Sequence, residues 1–143
     1  MKAIIGVVGA GTMGAGIAQV AAQAGHSVVL TDTNPEQLQR AEQQIVKSLD
    51  KLVEKGKFSF EQAEAMKASL TYSTQLSDHS AASLVIEAIV EKLEIKKSLF
   101  SDLEKVLPAS AVLVTNTSSL SVTAIAAGLQ RPAQFAGYHF FNP

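Results

Sequence analysis

The sequence contains no cysteine, and this absence excludes disulfides, thiol nucleophiles and thiolate metal sites together. It also lacks a surplus of charge of one sign, because 12 basic side chains stand against 13 acidic ones. A surface for nucleic acid or an anionic membrane needs clustered lysine and arginine, so neither partner is expected. No apolar run approaches the ~20 residues of a membrane-spanning helix. We therefore expect a cytoplasmic protein whose partner is a small molecule, and we predict no metal site.

Hydrophobic residues make up 47% of the 143 residues, which is enough for the core of one domain, 1–143. Short runs rich in valine, isoleucine and leucine alternate with longer segments of helical period. This is the pattern of βαβ units around a parallel sheet, so the predicted fold class is α/β with a doubly wound sheet. The predicted strands are Ile4 to Val8, Ser27 to Thr31, Leu70 to Ser73, Leu84 to Glu87, Ala111 to Thr115 and Phe135 to Phe140.

Five helices are predicted between the strands, and two of them form an unusual pair. A long charged helix begins at Pro35 with Asn34 as its N-cap, and a shorter helix follows before the third strand. This helical hairpin is longer than a single crossover needs, so we interpret it as a functional projection from the sheet. The predicted helices run from Met13 to Ala24, Pro35 to about Lys55, Ser59 or Phe60 to Ser69, Lys92 to Val106 and Ser121 to about Ala127.

Two expectations concern the burial of single residues. The helical period of the first helix predicts one buried stripe. His79 lies in a polar loop, so we expect it at the surface. The stripe of the first helix consists of Ile17, Val20, Ala21 and Ala24.

The first strand is followed at once by residues 9–14, Gly-Ala-Gly-Thr-Met-Gly, which match G-x-G-x-x-G and open a helix. In this position the motif is typical of a Rossmann dinucleotide-binding domain. Gly9 allows the tight turn, Gly11 lets backbone amides approach a pyrophosphate, and Gly14 permits close packing of helix on strand. A glycine-rich turn without a ligand is the alternative. The candidate cofactor-binding residues here are Gly9, Gly11, Thr12, Met13 and Gly14.

Asp32 ends the second strand, roughly 20 residues after the glycine motif. A carboxylate at this point accepts hydrogen bonds from the adenosine ribose hydroxyls and repels a 2′-phosphate, which favours NAD over NADP. The alternative for Asp32 is an ordinary loop cap beside Asn34.

Polar residues also follow three later strands, at the sheet edge where open α/β sheets bind their ligands. They occupy 87–96, 116–119 and 139–143. A histidine beside a serine suits alcohol oxidation, because the imidazole of His139 can take the hydroxyl proton while hydride leaves for a nicotinamide ring. The alternative is structural: the serines, Ser118 among them, can cap the next helix, and His139 can be a packing residue.

Four motifs in order give the sequence a family resemblance. Residues 9–18 read GAGTMGAGIA, 85–88 read VIEA, 116–119 read NTSS and 139–143 read HFFNP. Together they resemble the NAD-binding domain of 3-hydroxyacyl-CoA dehydrogenases, including bacterial 3-hydroxybutyryl-CoA and 3-hydroxyadipyl-CoA members, over the whole chain. The resemblance implies oxidation of an L-3-hydroxyacyl-CoA by NAD to a 3-oxoacyl-CoA and NADH, in fatty-acid, butanoate or phenylacetate metabolism.

The resemblance also assigns roles to single residues. It makes His139 the general base and lets Ser118 touch both substrate and nicotinamide. Asn142 would reach the nicotinamide region. Glu91 and Lys96 correspond to further cofactor contacts of the family. The alternative for both is an exposed charge at the start of a helix.

In the same family the helical hairpin helps to clamp the coenzyme A part of the substrate. Ser48 and Lys55 match its contacting positions. Lys55 would offer a cation to the CoA phosphates. The alternative is a lysine that is merely solvated on an exposed helix.

Relatives of this family continue past the position of Pro143 into further strands and an all-helical domain, and we interpret the chain as cut short before that part. The resemblance locates there the glutamate that pairs with the histidine, the residues that close over substrate and the interface of a homodimer. A chain without them is expected to bind NAD with little turnover. Two other functions stay open: a dehydrogenase of free β-hydroxy acids, and a non-catalytic NAD-binding protein.

Overall fold

The computed structural model describes residues 3–89, 92–116 and 122–138, and these contain one six-stranded sheet. Its strands are β1 (Ile4–Val8), β2 (Ser27–Thr31), β3 (Leu70–Ser73), β4 (Leu84–Glu87), β5 (Val112–Thr115) and β6 (Phe135–Gly137). Every neighbouring pair is parallel, and the order is β3-β2-β1-β4-β5-β6. This order is that of the Rossmann doubly wound sheet, so the predicted fold class is confirmed. β6 ends earlier than predicted, because Tyr138 lies outside the strand.

The helices follow the predicted scheme within one or two residues at each described end. They are α1 (Thr12–Gln23), α2 (Pro35–Glu54), α3 (Phe60–Ala68), α4 (Leu93–Val106) and α5 (Val122–Ala126). The Asn34 side chain accepts from the Glu36 amide at 3.0 Å, so it caps α2 as predicted. Ser59 and Gln62 form a reciprocal capping box at α3, which completes the helical hairpin. Across the described residues, no helix has both the length and the apolar character to cross a membrane.

Helices cover both faces of the sheet because the strands are apolar on both sides. Val7 belongs to the core cluster under α1 and α2, whereas its neighbour Val8 belongs to the cluster under α4 and α5. In the second cluster, Phe100 of α4 meets Phe135 of β6 edge to face, with ring centroids 4.8 Å apart. From β1 the sheet extends to one side through β2 and β3 and to the other side through β4, β5 and β6. The carboxyl end of β1 therefore lies at the switch point where such sheets bind ligands.

The buried stripe of α1 differs from the predicted one. Ile17 and Ala21 are buried, but Val20 is 63% exposed and Ala24 is exposed as well. Because α1 is apolar on almost every side, helical period does not select a face, and the face packed on the sheet consists of glycine and alanine together with Ile17. The buried residues of α1 are Gly14, Ala15, Ile17, Ala18, Ala21 and Ala22.

Candidate functional site

The glycine turn after β1 brings three segments of backbone into direct contact. Gly9 has a φ of +108°, a conformation that glycine adopts without strain. A Cβ on Gly9 would lie 2.6 Å from the carbonyl oxygen of Ala88, the residue after β4. A Cβ on Gly14 would lie 1.7 Å from the carbonyl oxygen of Gly9. The absence of side chains at these two positions therefore lets α1 and the end of β4 approach the turn.

Gly11 faces open space instead, since a Cβ there would meet nothing within 4 Å in the described structure. Gly11 is the N-cap of α1, offers no side-chain acceptor, and no acidic residue follows in the first turn. The hydrogen bond from the Ala15 amide to the Gly11 carbonyl, 2.9 Å, is the first one of the helix. The amides of Thr12 and Met13 therefore have no acceptor within α1. An open helix end with a positive partial charge fits the pyrophosphate of a dinucleotide.

Gly11→Ala is expected to separate cofactor binding from folding. The backbone at Gly11, φ −70° and ψ −172°, suits alanine, so the free energy of unfolding should change by less than about 1 kcal/mol. The added methyl would occupy the space that the pyrophosphate needs, and NADH affinity should fall at least about tenfold. Calorimetric titration and thermal melting of the same preparation measure both quantities. Unchanged NADH affinity in a folded variant would contradict the assignment of this space.

Asp32 braces the glycine turn from the end of β2. Its Oδ2 accepts from the Ala10 amide and its Oδ1 from the Asn34 amide, both at 2.9 Å. The Gly9 amide donates to the Thr31 carbonyl at 2.8 Å, which adds a second link between β2 and the turn. Each carboxylate oxygen retains further acceptor capacity, so Asp32 can hold the turn and still accept from ribose hydroxyls. The loop-cap and ribose-binding interpretations of Asp32 are therefore compatible.

A cleft of about 780 Å³ opens beside the glycine turn and Asp32, a size typical of small-molecule sites. Its opposite wall is α4, which contributes Ile95, Ser98 and Asp102 from one helix face. This wall was not predicted from the sequence. The available signal was the spacing of these three residues at i, i+3 and i+7, with an apolar residue on an otherwise polar helix surface.

His79 is buried against β1 and β2 rather than exposed at the surface, so the surface prediction is wrong. Its side chain is fully buried, and its Nε2 shares a hydrogen bond of 2.8 Å with the hydroxyl of Thr31. A Cβ on Gly6 of β1 would lie 2.3 Å from its Nδ1, so glycine at this position makes room for the ring. Burial lowers the pKa of His79 to about 4, although the neighbouring Asp78 carboxylate acts in the opposite direction.

The buried imidazole predicts a loss of stability in weak acid. In the unfolded chain His79 takes a proton below its usual pKa of 6.5, whereas in the folded domain it does so only near pH 4. Stability from this group is therefore complete above pH 6.5 and is lost as the pH falls from about 6.5 to about 4, by at most about 3 kcal/mol. Denaturant unfolding at several pH values should show a shallower dependence in His79→Gln. Equal slopes for both proteins would contradict this account.

A buried ion pair lies at the carboxyl ends of β4 and β5. Glu87 and Lys96 have fully buried side chains, and the Lys96 Nζ lies 2.9 Å from Oε2 and 3.0 Å from Oε1 of Glu87. The same Nζ donates to the carbonyl of Asn116 at 3.3 Å. The interpretation of Lys96 as an exposed charge is therefore wrong, and its contact with the cofactor stays a prediction.

The predicted residues of the reacting end, Glu91, Ser118, His139 and Asn142, lie outside the described residues. A backbone hydrogen bond links the described residues that precede the segments of Ser118 and His139. The Tyr138 amide, directly before His139, donates to the Thr115 carbonyl at the end of β5 at 3.0 Å.

The two predicted CoA contacts lie on α2 and at its end. Ser48 is half-buried, and its Oγ accepts from Gln19 of α1 at 2.9 Å, which ties the hairpin to the sheet-covering helix. Lys55 is the exposed C-cap of α2. The two positions are seven residues apart and thus share one helix face.

The sheet order, the glycine turn and the carboxylate at the switch point define a dinucleotide-binding protein of the Rossmann type. Residues 4–143 match the family described as 3-hydroxyacyl-CoA dehydrogenase, NAD binding domain. The chain therefore belongs to the 3-hydroxyacyl-CoA dehydrogenase family, and its cofactor is NAD.

Individual relatives agree with this assignment. The chain is 49% identical to 3-hydroxyadipyl-CoA dehydrogenase of Escherichia coli, over 97% of this chain and 29% of that protein. It is 48% identical to a probable 3-hydroxybutyryl-CoA dehydrogenase of Deinococcus radiodurans, over 96% of this chain and 49% of that protein. The crystal structure of 3-hydroxybutyryl-CoA dehydrogenase from Ralstonia eutropha matches with a TM-score of 0.95 at 36% identity, over all of this chain and 50% of that one. The chain thus spans half or less of the length of these relatives.

Proposed function

We propose that this chain binds NAD and serves the oxidation of an L-3-hydroxyacyl-CoA to a 3-oxoacyl-CoA. The hydrogen bond from the Tyr138 amide to the Thr115 carbonyl carries the proposal, because it joins the strand ends that precede the NTSS and HFFNP motifs. The family match favours an acyl-CoA over a free β-hydroxy acid as substrate. The activity belongs to the complete dehydrogenase, meaning this domain with the further length that its relatives have. A homodimer of that enzyme also stays a prediction.

The residues of the chain have distinct tasks in this reaction. The amino end of α1 binds the pyrophosphate, and Asp32 binds the adenosine ribose. His139 takes the proton of the 3-hydroxyl group, while Ser118 orients the same oxygen by a hydrogen bond. NAD, when bound, supplies the hydride acceptor. Asn142 and Glu91 orient the nicotinamide region.

The helical hairpin contributes the contact with coenzyme A. Lys55 offers an exposed ammonium to a CoA phosphate, and Ser48 lies on the same helix face about 10 Å away along the axis. Although the Ser48 oxygen accepts from Gln19, its own hydroxyl proton can still be donated. One extended ligand can therefore contact both residues.

Calorimetric titration of NADH and then NADPH into the chain tests the cofactor part of the proposal. Turnover of acetoacetyl-CoA by the complete dehydrogenase, followed by NADH absorbance, tests the reaction. We expect tighter binding of NADH than of NADPH, and NADH oxidation that depends on the acyl-CoA. Turnover of free 3-hydroxyisobutyrate instead would identify a free-acid dehydrogenase. Binding without turnover of either substrate would identify a non-catalytic NAD-binding protein.

A further inference from the structure

The hydrogen bond between Gln19 and Ser48 joins α1 to the helical hairpin. The side-chain amide of Gln19 donates from Nε2 to the Ser48 Oγ at 2.9 Å, and both residues are half-buried. Ser48 lies three residues after the fully buried Ile45 and directly before the fully buried Leu49, so it stands at the border of the packed face of α2. A side chain at that border can be held by α1 and still reach a ligand on the solvent side.

Packing between α1 and α2 does not depend on this hydrogen bond. Ala18 and Ala22 of α1 lie in the same core cluster as Ile45 and Leu49 of α2, and all four side chains are almost completely buried. Burial of apolar surface is the main stabilising contribution at such a contact, whereas one neutral hydrogen bond adds little net stability. The bond from Gln19 therefore matters more for the orientation of Ser48 than for the stability of the fold.

The direction of the hydrogen bond decides what Ser48 can offer to a ligand. A serine hydroxyl in or beside a helix often donates its proton to a carbonyl three or four residues earlier, as Ser69 at the end of α3 does to Met66 at 2.7 Å. In the described part of the chain no carbonyl accepts from Ser48 in this way, and the bond from Gln19 uses only a lone pair of its oxygen. The hydroxyl proton of Ser48 is therefore available to an acceptor on a ligand.

The phosphates of coenzyme A are acceptors of this kind, because their oxygens carry lone pairs and negative charge. A serine that presented its own lone pairs to them would be repelled. We propose that Gln19 is a positioning residue of the substrate site, whose amide holds the Ser48 side chain and directs the hydroxyl proton towards a phosphate of the acyl-CoA. Gln19 itself need not touch the ligand. The inference rests on the proposed function, because that function assigns Ser48 to coenzyme A.

The test measures the dissociation constant of acetoacetyl-CoA by calorimetric titration of the complete dehydrogenase without NADH. The variants are Gln19→Met, Ser48→Ala and the double variant. Methionine matches glutamine in helix propensity but has no amide, so the Ser48 hydroxyl loses its fixed orientation. Gln19→Met should therefore bind acetoacetyl-CoA about three- to tenfold more weakly, the usual effect of one neutral hydrogen bond.

The effect of Gln19→Met should be confined to the binding of acyl-CoA. The KM for acetoacetyl-CoA should rise while kcat stays as in wild type, because the lost contact is made equally in the ground state and the transition state. NADH affinity should also stay as in wild type, since Gln19 lies about 10 Å along α1 from Thr12 at its amino end. A general loss of structure would lower all three quantities together.

The double variant separates an indirect role of Gln19 from a direct contact with the ligand. If Gln19 acts through Ser48, Gln19→Met should weaken binding no further once Ser48→Ala is present. Additive effects would show that Gln19 acts without Ser48, and they would overturn the inference. The control is Gln23→Met, one turn further along α1, where the side chain is half-buried as well. It should bind acetoacetyl-CoA as wild type does, and an equal loss in this variant would also count against the inference.

The remaining outcomes distinguish this inference from the proposed function. Wild-type affinity for acetoacetyl-CoA in a folded Gln19→Met variant would refute the positioning role alone. The expected pattern of affinities in an enzyme without turnover would refute the proposed reaction and leave the positioning role in place. Wild-type affinity in Ser48→Ala, or no binding of acetoacetyl-CoA by the wild-type enzyme, would refute both the CoA contact of the hairpin and the inference drawn from it.

Discussion

Gly14→Ala is expected to lower the melting temperature by about 10 °C and to abolish measurable NADH binding. The new Cβ would lie 1.7 Å from the carbonyl oxygen of Gly9 and 2.8 Å from its carbonyl carbon. Both atoms belong to the backbone, so no side-chain rotation relieves the overlap, and α1 must move away from the turn. A forced backbone shift of this kind costs about 3 kcal/mol or more. The same movement displaces the amides of Thr12 and Met13 from the position that the pyrophosphate requires.

Gly16→Ala, two residues further along α1, is the matched control. A Cβ on Gly16 would meet no atom within 4 Å in the described structure. Alanine is favoured over glycine in a helix interior by roughly 0.5–1 kcal/mol, so this variant should melt slightly higher than wild type. Thermal melting and NADH titration of the two variants side by side check the prediction. Similar behaviour of both variants would show that helix propensity, and not the contact with Gly9, governs the result.

Local sequence patterns were sufficient for the sheet and for the glycine turn that follows β1. The continuous apolar run of β1 and the glycine motif after it depend on neighbours in sequence, and both are present in the structure as predicted. The cap of α2 by Asn34 is equally local. Features of this kind are encoded within a few residues, so spacing and residue type are enough to predict them.

Two of the failures involve partners that are distant in sequence. His79 has the sequence context of a polar loop residue, and only the folded chain brings Gly6 of β1 and Thr31 of β2 against its ring. Lys96 reads as a helix-start charge until Glu87 supplies its counter-ion from β4. Pattern methods assign a polar residue to solvent by default, whereas a buried hydrogen bond or ion pair reverses that assignment. The prediction for Val20 was wrong for a different reason: α1 is apolar on almost every side, so helical period alone did not identify the buried face.

Replacement of His139 by glutamine is expected to reduce kcat of the complete dehydrogenase about 10²- to 10⁴-fold, the usual contribution of a general base. Glutamine can keep a hydrogen bond to the substrate hydroxyl, but it cannot accept the proton that must leave with hydride transfer. NADH affinity should change little, because the amino end of α1 and Asp32 hold the other half of the cofactor. The pH profile of kcat/KM should also lose the limb that reports the ionisation of the base.

His26→Gln provides the control for the chemistry of the substitution. His26 directly precedes β2, at the amino end of the strands and therefore at the sheet edge opposite to the one that binds ligands. The same exchange of imidazole for amide should leave kcat and the pH profile of kcat/KM as in wild type. If His139→Gln retained kcat within about tenfold of wild type, His139 would not be the base. A similar fall of kcat in both variants would point to a general loss of folded enzyme, and melting curves recorded with each assay distinguish that case.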